Sequence, residues 1–235
     1  MTKPDFTSFR FGRNQHDPAR VAAVKPHVYG VAPVPLVLPR EDLVWKPTLV
    51  RNDTLPTCTI AGLINSARVW ALLKGYDLVY DEADLLSDYA TLAGCAPTPE
   101  AIGATEGLQM LSVLEYFSAK GLDIGAQAPL VLDYATVATK NALAIRDAIN
   151  AHGSAYAGIT LYSADMQPGA VWKGAPVAGD AVAGYHCLVP FSFPTPDSFD
   201  EATWGEIMQA NDEWLLSRLD EAYALTWRMA VAEAA

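Results

Sequence analysis

The run Asn52-Asp-Thr-Leu-Pro-Thr-Cys58-Thr-Ile-Ala-Gly-Leu-Ile-Asn-Ser-Ala-Arg-Val-Trp-Ala-Leu-Leu-Lys74 decides how the rest of the chain is read. From Cys58 onward, Ile60, Leu63, Ile64, Ala67, Trp70 and Ala71 recur at spacings of three and four, one apolar face of a helix. Thr57 is a plausible N-cap and Gly75 a plausible stop. Cys58 therefore opens a helix, where the helix dipole favours a thiolate. Asn52, just upstream, could donate its amide to an oxyanion formed on attack by that thiolate. About half a chain later His186 opens a strand-like segment, and Trp204-Gly205 follows it. An imidazolium from His186 would lower the thiol pKa further.

Composition narrows the possibilities. The chain has 235 residues, is 51% hydrophobic and contains 6 Trp, enough for a sizeable core. A net charge of −11 with no clustered basic patch speaks against nucleic-acid partners. No apolar run is long enough to cross a membrane. The polar N-terminus has no secretory signal pattern, so a cytoplasmic location is expected. Cys58, Cys95 and Cys187 are too few and too widely spaced for a disulfide framework, which also fits a reducing compartment. Cys58, Cys187 and a histidine have the donor types zinc prefers, but neither Cys-x-x-Cys nor His-x-x-x-His occurs. His186 and Cys187 would also point to opposite faces of their strand. No metal and no cofactor is expected.

Residues 1–44 read as an extended arm, because Pro18, Pro26, Pro33, Pro35 and Pro39 forbid long helices. The apolar stretch Val31 to Pro39 suggests that the arm packs on the body. Residues 45–127 read as a helical region carrying the nucleophile. Helices are expected at 58–74, 81–92 and 106–119, with a loop at 94–104. Asp81, Glu82 and Asp84 suit an acidic helix start. Residues 128–235 read as β-rich and carry the histidine. Strands are expected at 128–134, 154–162, 184–193 and 222–227, and helices at 139–152 and 206–220. Pro190 demands an edge or a bulge within its strand. His16, His27 and His152 have no partner that the sequence names.

With these residues in view, the chain resembles the papain-like cysteine peptidases, in a divergent bacterial or phage branch. Asn52 to Cys58 matches the family's Gln-x-x-x-x-x-Cys. Glu82 to Tyr89 with Gly94-Cys95, and the helix over 111–122 (LSVLEYFSAKGL), resemble its next segments. Leu143 to Ile149, Gly153 and Ala155 to Leu161 resemble the stretch before its histidine. Gly184-Tyr-His186 matches Gly-x-His, and Thr203-Trp204-Gly205 matches Ser-Trp-Gly. The separation of Cys58 from His186 is close to the family's roughly 130 residues.

The resemblance implies an α+β fold in which a helical lobe packs on a β-barrel-like lobe, with the site in the cleft between them. It implies that Cys58 attacks a peptide-like amide, that His186 transfers the proton and that Asn52 binds the oxyanion. Peptides or proteins would be the substrates. The family's third catalytic residue, Asn, falls at Ala202, which has no polar side chain. A backbone carbonyl, a water, Asp200, Glu201 or Thr203 would then have to hold His186. Trp204 is expected to pack, shielding His186. The alternative is a catalytically weak or inactive papain-like module, for example in a phage particle, with the arm held by an assembly partner.

Overall fold

The computed structural model of the chain describes residues 9–28, 45–124, 129–167 and 169–230. The apolar stretch Val31 to Pro39 lies outside the described residues. Five helices precede the sheet: α1 (Pro18–Ala23), α2 (Cys58–Leu73), α3 (Glu82–Ala93), α4 (Pro99–Gly103) and α5 (Met110–Lys120). The second half holds β1 (Leu130–Thr136), α6 (Ala142–His152), β2 (Ala155–Tyr162), β3 (Val182–Ser192), β4 (Ser198–Thr203), β5 (Glu206–Asn211), α7 (Asp212–Arg218) and β6 (Leu219–Met229). The strands form one open antiparallel sheet in the order β1-β6-β2-β3-β4-β5.

α2 is the axis of the molecule. Its apolar stripe is wider than one face, and Cys58 to Ala67 are all buried. Each of Ile60, Leu63 and Ile64, fully enclosed, contributes about 1.5–3 kcal/mol of burial. Two of the polar residues inside it are satisfied, whereas the Thr59 hydroxyl has no hydrogen-bond partner among the described residues. Asn65 bonds both the N–H and the carbonyl of Thr48, and Ser66 pairs with Ser154 across to the sheet. Gly62 lets the helix press against β3 and β2, since a Cβ there would sit 2.6 Å from Cys187 Sγ and 3.0 Å from the Tyr156 ring. One helical turn before Gly62 stands Cys58, so the same close approach brings the nucleophile candidate to β3.

Two cores flank the sheet. One joins α2, α3 and α5 to Tyr156, Cys187, Tyr223 and Trp227. The other joins α6 and α7 to Ala157, Ile159, Leu188 and Phe199. The sheet's alternation thus works on both faces, with Tyr156 on one side and Ala155 and Ala157 on the other. Asp81 caps α3 through Ala83 N–H, and Glu82 and Asp84 fill its first turn.

Three expectations need correction. Residues 206–220 are not one helix. Residues 206–211 pair with β4, and Asn211 then caps α7 by accepting from Trp214 N–H at 3.0 Å. β4 itself carried no readable strand signal. Residues 99–103, expected as loop, form α4, started by Thr98 and Pro99. The arm is also not extended throughout, since Asp17 caps the short helix α1. Pro190 does sit beside a register shift in β3, as a missing N–H requires.

Candidate active site

The loop before Cys58 is tightly wound. Val50 and Arg51 have φ of 46° and 55°, a left-handed conformation that side chains rarely take. Asn52 N–H returns to Leu49 O at 2.9 Å, and Thr57 donates its hydroxyl to Val50 O at 2.6 Å. Thr57 stands at the cap position of α2 without capping it, because its hydroxyl closes this loop. The result presents Asn52 Nδ2, which donates to Leu55 O at 3.1 Å and to Arg10 O at 3.3 Å.

The histidine loop is equally constrained. Thr203 and Glu206 close the β4–β5 hairpin through Trp204 and Gly205, with φ of 45° and 75°. Positive φ at both central positions matches the twist of a two-residue hairpin. It also stacks the Trp204 indole on the His186 ring, with centroids 4.0 Å apart. His186 Nε2 lies 2.7 Å from Thr203 Oγ1. His186 Nδ1 is buried and has no hydrogen-bond partner among the described residues.

Of the residues that could hold the imidazole, Thr203 is the one in contact. Ala202 alternates to the other face of β4, where it packs with Val69, Val189 and Phe191. Asp200 accepts from Gln209. Glu201 is fully buried with neither carboxyl oxygen bonded, and burial pushes its pKa well above the ordinary range.

Cys58 and His186 are not hydrogen-bonded to each other. Cys58 belongs to the helical core beside Cys187, whereas His186 stacks on Trp204 in the other core. The arm reaches the surroundings of both. Gly12 O accepts from Leu108 N–H at 3.0 Å, and Asn14 N–H donates to Leu108 O at 2.9 Å. Phe9 stacks on Trp204, and Phe11 meets the same indole edge-on. The Gly12 backbone lies close enough to Cys58 to favour its thiolate against the effect of burial. So close is the arm that a Cβ on Gly12 would sit 2.2 Å from Pro56 C and O.

This cover reverses the expected electrostatics. Burial raises the Cys58 pKa from 9.0 to about 12, against opposing pulls from the Cys187 and Gly12 backbones and the Arg13 guanidinium. Burial, aided by Arg13, lowers His186 from 6.5 to about 3. In the covered state the pair is a neutral thiol and a neutral imidazole, not a thiolate–imidazolium pair. The helix dipole is present, but with Cys58 at 1% exposure desolvation outweighs it.

Other expectations resolve elsewhere. His27 pairs with Asp147 at 2.8 Å, and His152 Nδ1 lies 3.2 Å from Thr226 Oγ1. Both histidines line a cavity of about 600 Å³ that includes none of Asn52, Cys58 or His186. No group of three or more His, Cys, Asp or Glu among the described residues could hold a metal ion. No helix among them is long and apolar enough to cross a membrane. The arm contacts that sequence reasoning missed centre on Arg13, which is buried against Asp220 and Glu221.

No family model matches the sequence, and neither does any curated protein. Solved structures do match. Xylellain, a cysteine protease from Xylella fastidiosa, superposes over 96% of this chain and 98% of its own, at 10% identity and a TM-score of 0.65. The chain has a papain-like fold. The cysteine protease and lectin-like domains of Cwp84, a surface layer associated protein of Clostridium difficile, match over 89% of this chain and 57% of that one, at 12% identity and TM-score 0.56. Digestive procathepsin L 3 of Tenebrio molitor larval midgut matches over 88% and 78%, at 12% identity and TM-score 0.52. Identities this low place the chain far from these papain-like relatives in sequence while it keeps their architecture. That architecture is a helical layer on an antiparallel sheet, here open rather than closed into a barrel.

Proposed function

We propose that the chain is a papain-like cysteine hydrolase of peptide-like amide bonds, held here in a self-covered state. The observation that carries this reading is the arm's placement. A peptide segment runs past Cys58 with one carbonyl, Arg10 O, on the Asn52 amide and with Gly12 packed against Pro56 and Thr57, the two residues before the thiol. A cleft that accepts backbone at both points is suited to hold a peptide there. With the arm withdrawn, Cys58 Sγ attacks the scissile carbonyl and the developing oxyanion takes the Asn52 Nδ2–H that Arg10 O now occupies. His186 accepts the thiol proton and returns it to the leaving amine, and water then hydrolyses the thioester. Thr203 takes the part of the absent Asn. Accepting from Nε2–H, its hydroxyl leaves the Nδ1 lone pair free as the base.

One observation favours the second reading, an inactive module that keeps the fold for structure or binding. Cys58 and His186 are 1% and 0% exposed, and both are neutral. Hydrolysis of a fluorogenic peptide library by the wild type, Cys58→Ser and His186→Ala separates the two. The hydrolase reading expects turnover that both substitutions abolish. Turnover indifferent to Cys58→Ser defeats it. So does an inert chain whose Cys58 stays inert after the arm has been loosened.

A further inference from the structure

We propose that the pocket now filled by Arg13 is a subsite for an arginine side chain of a bound peptide, and that the arm occupies it as an internal stand-in. This rests on the cleft's being a peptide site, as argued above. Arg13 has no exposed side-chain surface. Its Nη1 donates to Glu221 Oε1 at 2.9 Å, and its Nη2 donates to Ile159 O at 3.0 Å and to Asp220 Oδ2. The Tyr185 ring lies under the guanidinium, 5.3 Å from Cζ.

Arg13 is not the sole group that orients the pocket's carboxylates. Tyr223 donates its hydroxyl to the second oxygen of Glu221 at 2.7 Å, and Thr160 donates to Asp220 Oδ2 at 2.8 Å. Both carboxylates are therefore aimed by the sheet itself. Gly158 makes the room, since a Cβ there would lie 3.0 Å from Arg13 Cδ and 2.8 Å from Glu221 Cγ. Two carboxylates, one tyrosine face and one carbonyl match the planar donor fork of a guanidinium better than the point charge of a lysine.

The energetics then select the occupant. Withdrawal of the arm strips the one cation found on these two carboxylates among the described residues, and Glu221 is 1% exposed. Buried charge left without its partner is strongly unfavourable. A peptide that brings its own guanidinium to the pocket removes that penalty, and a neutral peptide does not. Opening of the cleft is thus coupled to a basic ligand. A net charge of −11 draws cationic peptides to this surface. The pocket also lies beside the reacting groups, because Arg13 follows the residue packed close to Cys58 and acts electrostatically on both Cys58 and His186.

The test uses the full chain carrying Arg13→Ala and a fluorescein-labelled peptide of the arm's own sequence, Phe9 to Asn14, read by fluorescence polarisation. A second peptide has norleucine in place of its final arginine, and a third has lysine. The arginine peptide is expected to bind roughly 100-fold tighter than the norleucine one, with lysine between them. Adding Glu221→Gln should remove most of that preference. Equal binding of the three peptides, or no binding of any, overturns the proposal. If Arg13→Ala does not fold alone, refolding in millimolar methylguanidinium or methylammonium replaces the measurement. Recovery with methylguanidinium only supports the pocket, and recovery with both or neither overturns it. Because the readout is binding, arginine-selective binding without hydrolysis would sink the hydrolase reading and spare the subsite. Hydrolysis without arginine preference would do the reverse.

Discussion

Substituting Gly12 by Ala is the sharpest probe of the covered site. The added Cβ meets Pro56 C and O at 2.2 Å and Thr57 N at 2.8 Å. These are backbone atoms, so no rotamer change relieves the overlap. The loop they belong to is pinned by Thr57 to Val50 O and by Asn52 N–H to Leu49 O. The arm must therefore lift. Lifting removes the burial that holds the Cys58 pKa near 12 rather than 9.0. At pH 8 the thiolate fraction would rise from roughly 1 in 10⁴ to roughly 1 in 10, a limit of about 10³ in alkylation rate. The Arg13 anchor keeps the arm nearby, so an observed gain of about 10²–10³ is expected. The assay is iodoacetamide labelling followed by peptide mass spectrometry, with Cys95 and Cys187 as internal references. A folded Gly12→Ala protein whose Cys58 labels no faster than wild type refutes the reasoning. So does a gain that merely tracks global unfolding in urea.

Four further outcomes are expected. Thr203→Val should lower turnover by about 10–100-fold and alter its pH profile, with Thr203→Ser restoring both; Ala202→Asn, which buries an amide on the opposite face of β4, should destabilise by about 1–3 kcal/mol and add no activity. Asn52→Ala should cost about 10²–10³ in turnover once the arm is loosened, measured on protein kept well below a melting temperature that the lost bond to Leu55 O lowers. Because the folded His186 pKa, about 3, lies below the ordinary 6.5, the unfolded chain binds the proton first, and stability should fall as pH drops through that window by up to about 1.4 kcal/mol per unit; Glu201, whose folded pKa is raised, pulls the other way, so the check is the wild type against His186→Asn in denaturant titrations between pH 6.5 and 4.5.

Periodicity made α2 and the β2 alternation legible, because both are decided by burial on a repeating face. β4 and β5 were not legible. Ser198–Thr203 and Glu206–Asn211 carry Asp, Glu, Gln and Asn where a strand is usually β-branched, and neighbours on the sheet supply the stability. Asn211-Asp-Glu213 was a readable helix start that the longer apolar spacing of 206–220 concealed. At the site, order along the chain brought out Asn52, Cys58 and His186. It could not say which of Ala202 and Thr203 faces the imidazole, since that depends on which face of β4 each side chain takes. Nor could it reveal the cover, because Arg13 is one of several scattered basic residues until Asp220 and Glu221 meet it from the far end of the chain. The apolar stretch of the arm suggested packing on the body, with an assembly partner as the alternative. Over 9–28 it is held by the chain's own body, through Leu108, Trp204, Glu221 and Thr136.

The distribution of backbone strain bears on the choice between an enzyme and an inert module. Among the described residues, the side chains with positive φ are Val50, Arg51 and Trp204. Each such conformation costs on the order of 1–3 kcal/mol, more readily tolerated by Asn or Gly than by Val or Trp. The hairpin twist accounts for Trp204, whereas Val50 and Arg51 are held left-handed in the loop that presents Asn52. These two form the turn that delivers Asn52 to the end of α2. The third lays an indole on His186 and leaves Thr203 at its Nε2. The strain is thus concentrated beside Asn52 and His186, the two residues that the proposed mechanism uses as amide donor and imidazole. Relaxing it tests the point directly. Arg51→Gly removes a partly exposed side chain from a left-handed position, where glycine carries no steric cost, and should leave the fold intact or firmer. If turnover falls while stability holds, the strain serves the placement of Asn52; if both hold, the turn is a structural feature and the hydrolase reading loses this support.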